Sequence, residues 1–110
     1  MKVIKNIQDW PHGLKTDYTF LNNRDEVMCS FSIRNDVIES LYVQELFRGS
    51  GLTTAMILLA LSELPHTDVY LWVKKDHFII DKYKKMGFVF HDRKGIDYIW
   101  MVFKRNLEIK

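Results

Sequence analysis

The segment Leu41-Tyr42-Val43-Gln44-Glu45-Leu46-Phe47-Arg48-Gly49-Ser50-Gly51-Leu52 constrains this chain more than any other. A strand-like run over residues 37–43 leads into a turn with one arginine and two glycines, and a helical pattern follows at once. That helix, residues 52–64 (LTTAMILLALSEL), is apolar on almost every side and is expected to be largely buried. Pro65 stops it, and residues 68–73 (DVYLWV) return to strand composition. A strand, a helix and a strand joined so closely require a parallel pair with a right-handed crossover. At 110 residues and 47% hydrophobic composition, residues 1–110 are expected to form a single domain around one core.

The remaining chain is arranged around this unit. Before it, residues 2–6 read as a short edge strand and Trp10-Pro11-His12-Gly13 as a turn. Residues 16–21, 26–34 and 37–43 read as strands joined by Asn22-Asn23 and Asn35-Asp36, an antiparallel meander. After it, residues 77–86 read as an amphipathic helix with Phe78, Ile79, Tyr83 and Met86 on one face. Asp81, Lys82, Lys84 and Lys85 take the other face, with Asp76 placed to cap the start and Gly87 to end it. Residues 88–90 and 96–103 are closing strands around Arg93-Lys94-Gly95. The expected class is α+β, a mixed and mostly antiparallel sheet with two main helices and a central β-α-β unit.

Composition excludes several functions. Sixteen Lys+Arg against fourteen Asp+Glu give a net charge of +2, too mild to make nucleic acid the expected partner. Cys29 is the one cysteine, so neither an internal disulfide nor a thiolate zinc cluster can form. The four histidines have no metal-ligand spacing, and no metal site is expected. Residues 1–10 carry charge and no apolar signal block, and the longest nearly uncharged run, residues 49–62, is too short for a bilayer. A cytoplasmic protein without a membrane partner is the expectation.

The two-glycine turn is where chemistry enters. The first amides of a helix lack internal partners, and with the helix dipole they form an anion site. Glycines let a phosphate approach the backbone. The P-loop is excluded because Leu52-Thr53 follows Gly51 where Lys and Ser/Thr are needed. The dinucleotide fingerprint is excluded because its third glycine is replaced by Thr54.

With those two set aside, the segment resembles the signature of the GNAT superfamily of acyl-CoA-dependent N-acetyltransferases, Gln/Arg-x-x-Gly-x-Gly/Ala between a strand and a helix. Arg48-Gly49-Ser50-Gly51-Leu52 matches it after Leu41-Tyr42-Val43. A second landmark, a tyrosine four residues before Gly-Phe, is supplied by Tyr83 and Gly87-Phe88. The resemblance covers residues 37–103, and more loosely 16–34. It departs at Thr53, where Gly or Ala is usual, and at Asp76 and Ile79, where Asn and Ala are frequent. It departs further at the front: the two helices that usually separate the first strands have no room between Ile7 and Lys15.

The resemblance implies a GNAT-like sheet and transfer of an acetyl group from acetyl-CoA to a primary amine, on a protein or a small molecule, by direct attack. Backbone amides from Gly49 through Ser50, Gly51 and Leu52 to Thr53 would hold the pyrophosphate, with Arg48 adding charge. Leu41 and Val43 would pair with the pantetheine arm, and the Val43 amide would face the developing oxyanion. Tyr83 would protonate the leaving thiolate. Glu39 is the candidate base, because even spacing places it on the same strand face as Leu41 and Val43. Each residue also has a plainer reading: a tight turn for the glycines, a packing aromatic for Tyr83, an ion-paired strand acid for Glu39. The cluster of Lys74, Lys75, Lys82, Lys84, Lys85, Arg93 and Lys94 reads as a solvated face or as an attractor for the CoA 3′-phosphate. The open front suits a bulky acceptor such as a folded protein, or a homodimer whose second subunit supplies the missing wall. An acyl-CoA-binding or protein-interaction domain without catalysis is the alternative.

Overall fold

The computed structural model describes residues 1–11 and 13–105; His12 of the expected turn, the Trp10 side chain and residues 106–110 lie outside the described part. The elements in chain order are β1 (Lys2–Trp10), β2 (Gly13–Leu21), β3 (Val27–Arg34), β4 (Val37–Val43), a short 3-10 turn (Glu45–Phe47), α1 (Leu52–Glu63), β5 (Val69–Lys74), α2 (Ile79–Lys85), β6 (Phe88–Lys94) and β7 (Tyr98–Phe103). All seven strands join one sheet in the order β1-β2-β3-β4-β5-β7-β6. Only β4 and β5 run parallel; every other neighbouring pair is antiparallel. The mixed, mostly antiparallel sheet with two helices and a β4-α1-β5 unit is the architecture the sequence indicates.

Three local expectations are corrected. β1 is a nine-residue strand rather than a short one, because it pairs with β2 along its whole length, from Lys2↔Leu21 to Trp10↔Gly13. No helix separates these two strands. β6 runs to Lys94, past residue 90, around a bulge between Phe90 and Asp92. Its polar composition is tolerated because it is an edge strand with solvent on one side. Finally, Asp76 does not cap α2: the helix begins after Phe78, and the Ile79 amide donates to His77 Nδ1 at 3.0 Å.

Both helices lie on one face of the sheet. Tyr18 and Phe20 of β2, Cys29, Phe31 and Ile33 of β3, Leu71 of β5 and Met101 of β7 are buried there with Met56, Ile57 and Ala60 of α1 and Tyr83 of α2. Because α1 has no layer outside it, its apolar outer side is not covered. Leu58 is 57% exposed, so the helix is half-buried rather than enclosed. Arg105 closes the far end of α1, its terminal nitrogen donating to the Leu61 and Leu64 carbonyls at 2.6 and 3.1 Å. A helix C-terminus leaves its last carbonyls short of partners, and at Leu61 Arg105 adds to the Leu64 amide, which donates at 3.3 Å.

Alternation along the strands sends the intervening residues to the opposite face, which carries no helix among the described residues. Its β1–β4 half is a polar network. Asp17 accepts from Gln8 at 2.8 Å and from Ser32 Oγ at 2.6 Å, and Arg34 grips Glu39. Its β5–β7 half is aromatic, with Tyr70 and Trp72 beside Tyr98 and Trp100. We call this the bare face.

Candidate active site

The site is made by a failure of pairing. β4 and β5 match only at Val37↔Tyr70 and Ile38↔Leu71, after which the strands part. The cause lies in β4. Ser40 has φ +56°, and the β3–β4 register slips between Ser30 and Ser32, so a bulge bends β4 just where its parallel ladder ends.

The bulge also resets which way side chains point. Val43 pairs with Cys29, while Glu39 pairs with Ser32, three residues further along an unbroken β3. Directly opposed residues share a face, so Glu39 and Val43 lie on opposite faces. The expectation that Glu39 sits on the side of Leu41 and Val43 is thus overturned; an extra residue at Ser40 breaks the period of two. Leu41 and Val43 pack against the core, and Glu39 stands on the bare face. There both of its oxygens are engaged by Arg34, Nε to Oε1 at 2.8 Å and the terminal nitrogen to Oε2 at 3.0 Å.

A cavity of about 860 Å³ fills the splay and reaches both sides of the sheet. Leu41, Val43, Arg48, Gly49, Gly51, Leu52, Thr53, Tyr83 and Glu39 all line it, so nine of the ten residues singled out from the sequence meet around one space. The tenth is Ser50, whose hydroxyl instead donates to the Phe47 carbonyl within the turn.

At one end, Gly49 and Gly51 both take left-handed backbone, φ +80° and +81°, with open space above each. Gly51 is the N-cap of α1 and no side chain satisfies the helix start, so the first amides remain available to an anion. Arg48 lies across this turn, donating from Nε to the Val43 carbonyl at 3.1 Å, with its guanidinium 5.9 Å from the Tyr42 ring. Midway, the β3–β4 ladder fixes the direction of the Val43 amide. Gln44 N–H donates to the Met28 carbonyl at 2.9 Å, which makes Val43↔Cys29 a non-hydrogen-bonded pair. The Val43 N–H therefore turns away from β3 into the splay.

Tyr83 stands on the α2 side, buried and 6.0 Å from the Phe88 ring. Burial pushes its hydroxyl up to about 12, so it keeps its proton at neutral pH. Cys29 is not part of the site. It is fully buried in the core, where burial pushes the thiol up to about 11.

Of the other wall residues, Lys74 and Lys82 belong to the basic cluster read from the sequence, whereas Trp72, His77 and Tyr98 were not assigned to the site. For Trp72 the signal was available, since alternation in DVYLWV puts Val69, Leu71 and Val73 on one side and Tyr70 and Trp72 on the other. The basic cluster does not act as one unit. Lys82 lines the cavity from α2 and Lys74 lines it from the bare face, where Lys94 also stands, its ammonium 4.8 Å from the Trp72 ring and 5.7 Å from Trp100. Among the described residues, no group of three or more His, Cys, Asp or Glu is placed to hold a metal ion. Among them, too, no helix is long and apolar enough to cross a membrane.

No family model matches the sequence, and no curated protein matches it closely enough to count as a relative. The structure does have neighbours. YjaB from Escherichia coli is 20% identical with a TM-score of 0.69, over 79% of this chain and 63% of YjaB. An acyl-CoA N-acyltransferase from Pseudomonas aeruginosa is 19% identical with a TM-score of 0.69, over 82% of this chain and 68% of that one. A nourseothricin acetyltransferase is 14% identical with a TM-score of 0.67, over 93% and 84%. The chain thus spans about two thirds of the length of the first two. Its sheet order, its splayed parallel pair and these neighbours agree: the chain has the fold of the GNAT acetyltransferases.

Proposed function

We propose that the chain is an N-acetyltransferase that moves an acetyl group from acetyl-CoA to a primary amine. The observation that carries this reading is the single cavity through the β4–β5 splay, with an anion-ready helix start at one end and Glu39 at the other. The pyrophosphate would lie on the amides of residues 49–53, and the pantetheine arm would run along Leu41 and Val43 with its thioester in the splay. Lys82 would add positive charge on the nucleotide side. The acceptor would enter from the bare face, so that amine and thioester meet between the strands.

The chemistry follows from the placement of each group. A lysine-type amine has an ordinary pKa of about 10.4 and must lose a proton before it attacks. Glu39, on the acceptor side, receives that proton directly or through water and attracts the cation beforehand. The amine nitrogen bonds to the thioester carbon, and the Val43 amide stabilises the oxyanion that forms. The C–S bond then breaks, Tyr83 gives its proton to the leaving thiolate, and the proton the attacking nitrogen sheds as the amide forms restores Tyr83. The engagement of both Glu39 oxygens by Arg34 supports a second reading, a domain that binds acyl-CoA without turnover.

Calorimetric titration with CoA tests the site, and thiol release from acetyl-CoA separates the two readings. Gly51→Glu puts a carboxylate where the pyrophosphate should lie and is expected to weaken CoA binding by more than about 100-fold. Gly51→Ala, which shares the φ +81° strain without the charge, serves as the control. If Gly51→Glu binds CoA as well as Gly51→Ala does, the phosphate turn is misassigned. Thiol release that responds to added amine supports transfer; CoA binding with no release over a broad amine panel supports the binding domain.

A further inference from the structure

The two edges of the sheet are guarded differently. β6 carries the polar run His91-Asp92-Arg93-Lys94 and a bulge between Phe90 and Asp92, devices that keep an edge from pairing with another chain. β1 has no bulge and no run of charges. It extends for nine residues, and its register against β2 holds unbroken from Lys2↔Leu21 to Trp10↔Gly13. It also shows apolar side chains to water on both faces. Val3 and Ile7 pair with Phe20 and Thr16 on the helix side, yet are 44% and 60% exposed, because α1 does not reach over them. Ile4, on the bare side, is 46% exposed. A long, regular and partly apolar edge offers its unpaired N–H and C=O groups to any strand that fits.

We infer that the strand that fits is β1 of a second copy of this chain, paired antiparallel so that two seven-stranded sheets become one. What singles out the copy is self-complementarity. A two-fold axis normal to the sheet relates such copies, so directly opposed residues share a face. The helix-side residues Val3, Lys5, Ile7 and Asp9 therefore meet helix-side residues only. With Lys5 on the axis, two lysines face each other. With Asn6 there, Lys5 faces Ile7 and Val3 faces Asp9. With Ile7 on the axis, Ile7 meets its own copy, Lys5 faces Asp9 twice and Asn6 faces Gln8 twice, over residues 4–10. No other register opposes unlike charges, because Lys2 lies on the bare side, where β1 has no acid. Lys5 already holds Glu63 of α1 at 3.1 Å, and Asp9 of the second copy brings it another carboxylate. Because β4 is the third strand from β1, the second copy lengthens the sheet without touching the splay, and both bare faces open to the same side. The pairing thus stands apart from the transferase reading.

Sedimentation of the full chain tests this. One strand pair is a small interface, so the wild type should pass from monomer to dimer between about 1 and 500 μM. Ile7→Lys sets two ammonium groups on the axis and should weaken the dimer by about tenfold or more. Ile7 is exposed, so the urea midpoint of the monomer should stay where it is. Lys5→Asp gives the register four acids and no base, and Asp9→Lys gives it four bases and no acid, so each variant alone should be monomeric. Mixed in equal amounts, the two regain unlike charges at every opposed position and should form a heterodimer about as tight as the wild-type dimer. That rescue depends on the register itself, which a general loss of fold would not reproduce. A wild type that stays monomeric throughout, a dimer that Ile7→Lys leaves intact, or a mixture no tighter than its folded components would each overturn the inference. Should Lys5→Asp fail to fold for want of its Glu63 contact, the Ile7→Lys comparison decides alone.

Discussion

The two faces of this sheet are built from the same strands and do opposite work. On the covered face, residues such as Phe31, Leu71 and Met101 are sealed beneath α1 and α2, and apolar area removed from water stabilises the fold. On the bare face the β1–β4 half consists of hydrogen-bonded polar groups, and the β5–β7 half of aromatic rings in contact with water and with Lys94. The difference teaches that most of the buried apolar side chains lie on one face, while the other, Val102 apart, keeps polar groups and aromatic rings nearer the surface. The splay is the single point where the two communicate.

That contrast can be broken by two truncations of comparable size. Phe31 is 1% exposed and stacked on Tyr18 with ring centroids 4.7 Å apart. Phe31→Ala should cost about 3–5 kcal/mol in urea unfolding, the range for a buried aromatic that leaves a cavity. Trp72→Ala removes a larger ring and should cost less, about 1–2 kcal/mol, because the ring is 37% exposed rather than sealed in the core. Equal losses would mean that the bare face contributes to the core and is not a free surface.

Most of the covered face was legible in the sequence, because burial imposes a period that composition reports. Alternation in VMCSFSIR and in DVYLWV marks the inward residues directly, and the β4-α1-β5 unit follows from Gly49, Gly51 and Pro65. The candidate residues were legible as a group that lines one cavity, but their geometry was not. Glu39 was placed on the wrong face because one left-handed residue, Ser40, carries no compositional mark; it is neither Gly nor Asn. β1 was cut short because its pairing with β2 is set by a partner strand and not by its own propensity. Lys94 over Trp72 joins strands that are not neighbours in the sheet, and no local pattern announces it.

The joint between α2 and β6 sharpens the comparison at an intermediate size. Gly87 has φ +106°, and a Cβ placed there would sit 2.8 Å from the Phe103 ring, which lies against the core. Gly87→Ala combines backbone strain with overpacking and should cost about 1–3 kcal/mol. Gly95, also at positive φ (+66°) but with nothing near its Cβ, isolates the strain alone, and Gly95→Ala should cost about 1 kcal/mol. If the two variants unfold at the same urea concentration, Phe103 yields freely and packing on the covered face is looser than its burial implies.

The smallest effect lies at the edge of the covered face, where Tyr18 donates to Glu63 at 2.9 Å and Lys5 reaches the same oxygen at 3.1 Å. The Tyr18 hydrogen bond, aided by Lys5, holds the Glu63 carboxyl below its ordinary value. Burial, with Glu63 second, drives the Tyr18 hydroxyl well above its own. The signs oppose. Glu63 contributes stability that is present above the ordinary carboxylate pKa and lost as pH falls through its lowered folded value. Tyr18 contributes stability that is present below the ordinary phenol pKa of about 10 and lost as pH rises above it. Unfolding followed at pH 3, 7 and 10.5 should therefore show both limbs in the wild type. Tyr18→Phe makes the alkaline limb shallower without removing it, because burial also raises the Cys29 thiol and the Tyr83 hydroxyl, and it makes the acid limb shallower too. Glu63 is largely exposed, so solvent screening keeps its share to about 0.5 kcal/mol or less. A Tyr18→Phe chain whose acid limb is as steep as the wild type's would show that this contact carries none of the acid dependence.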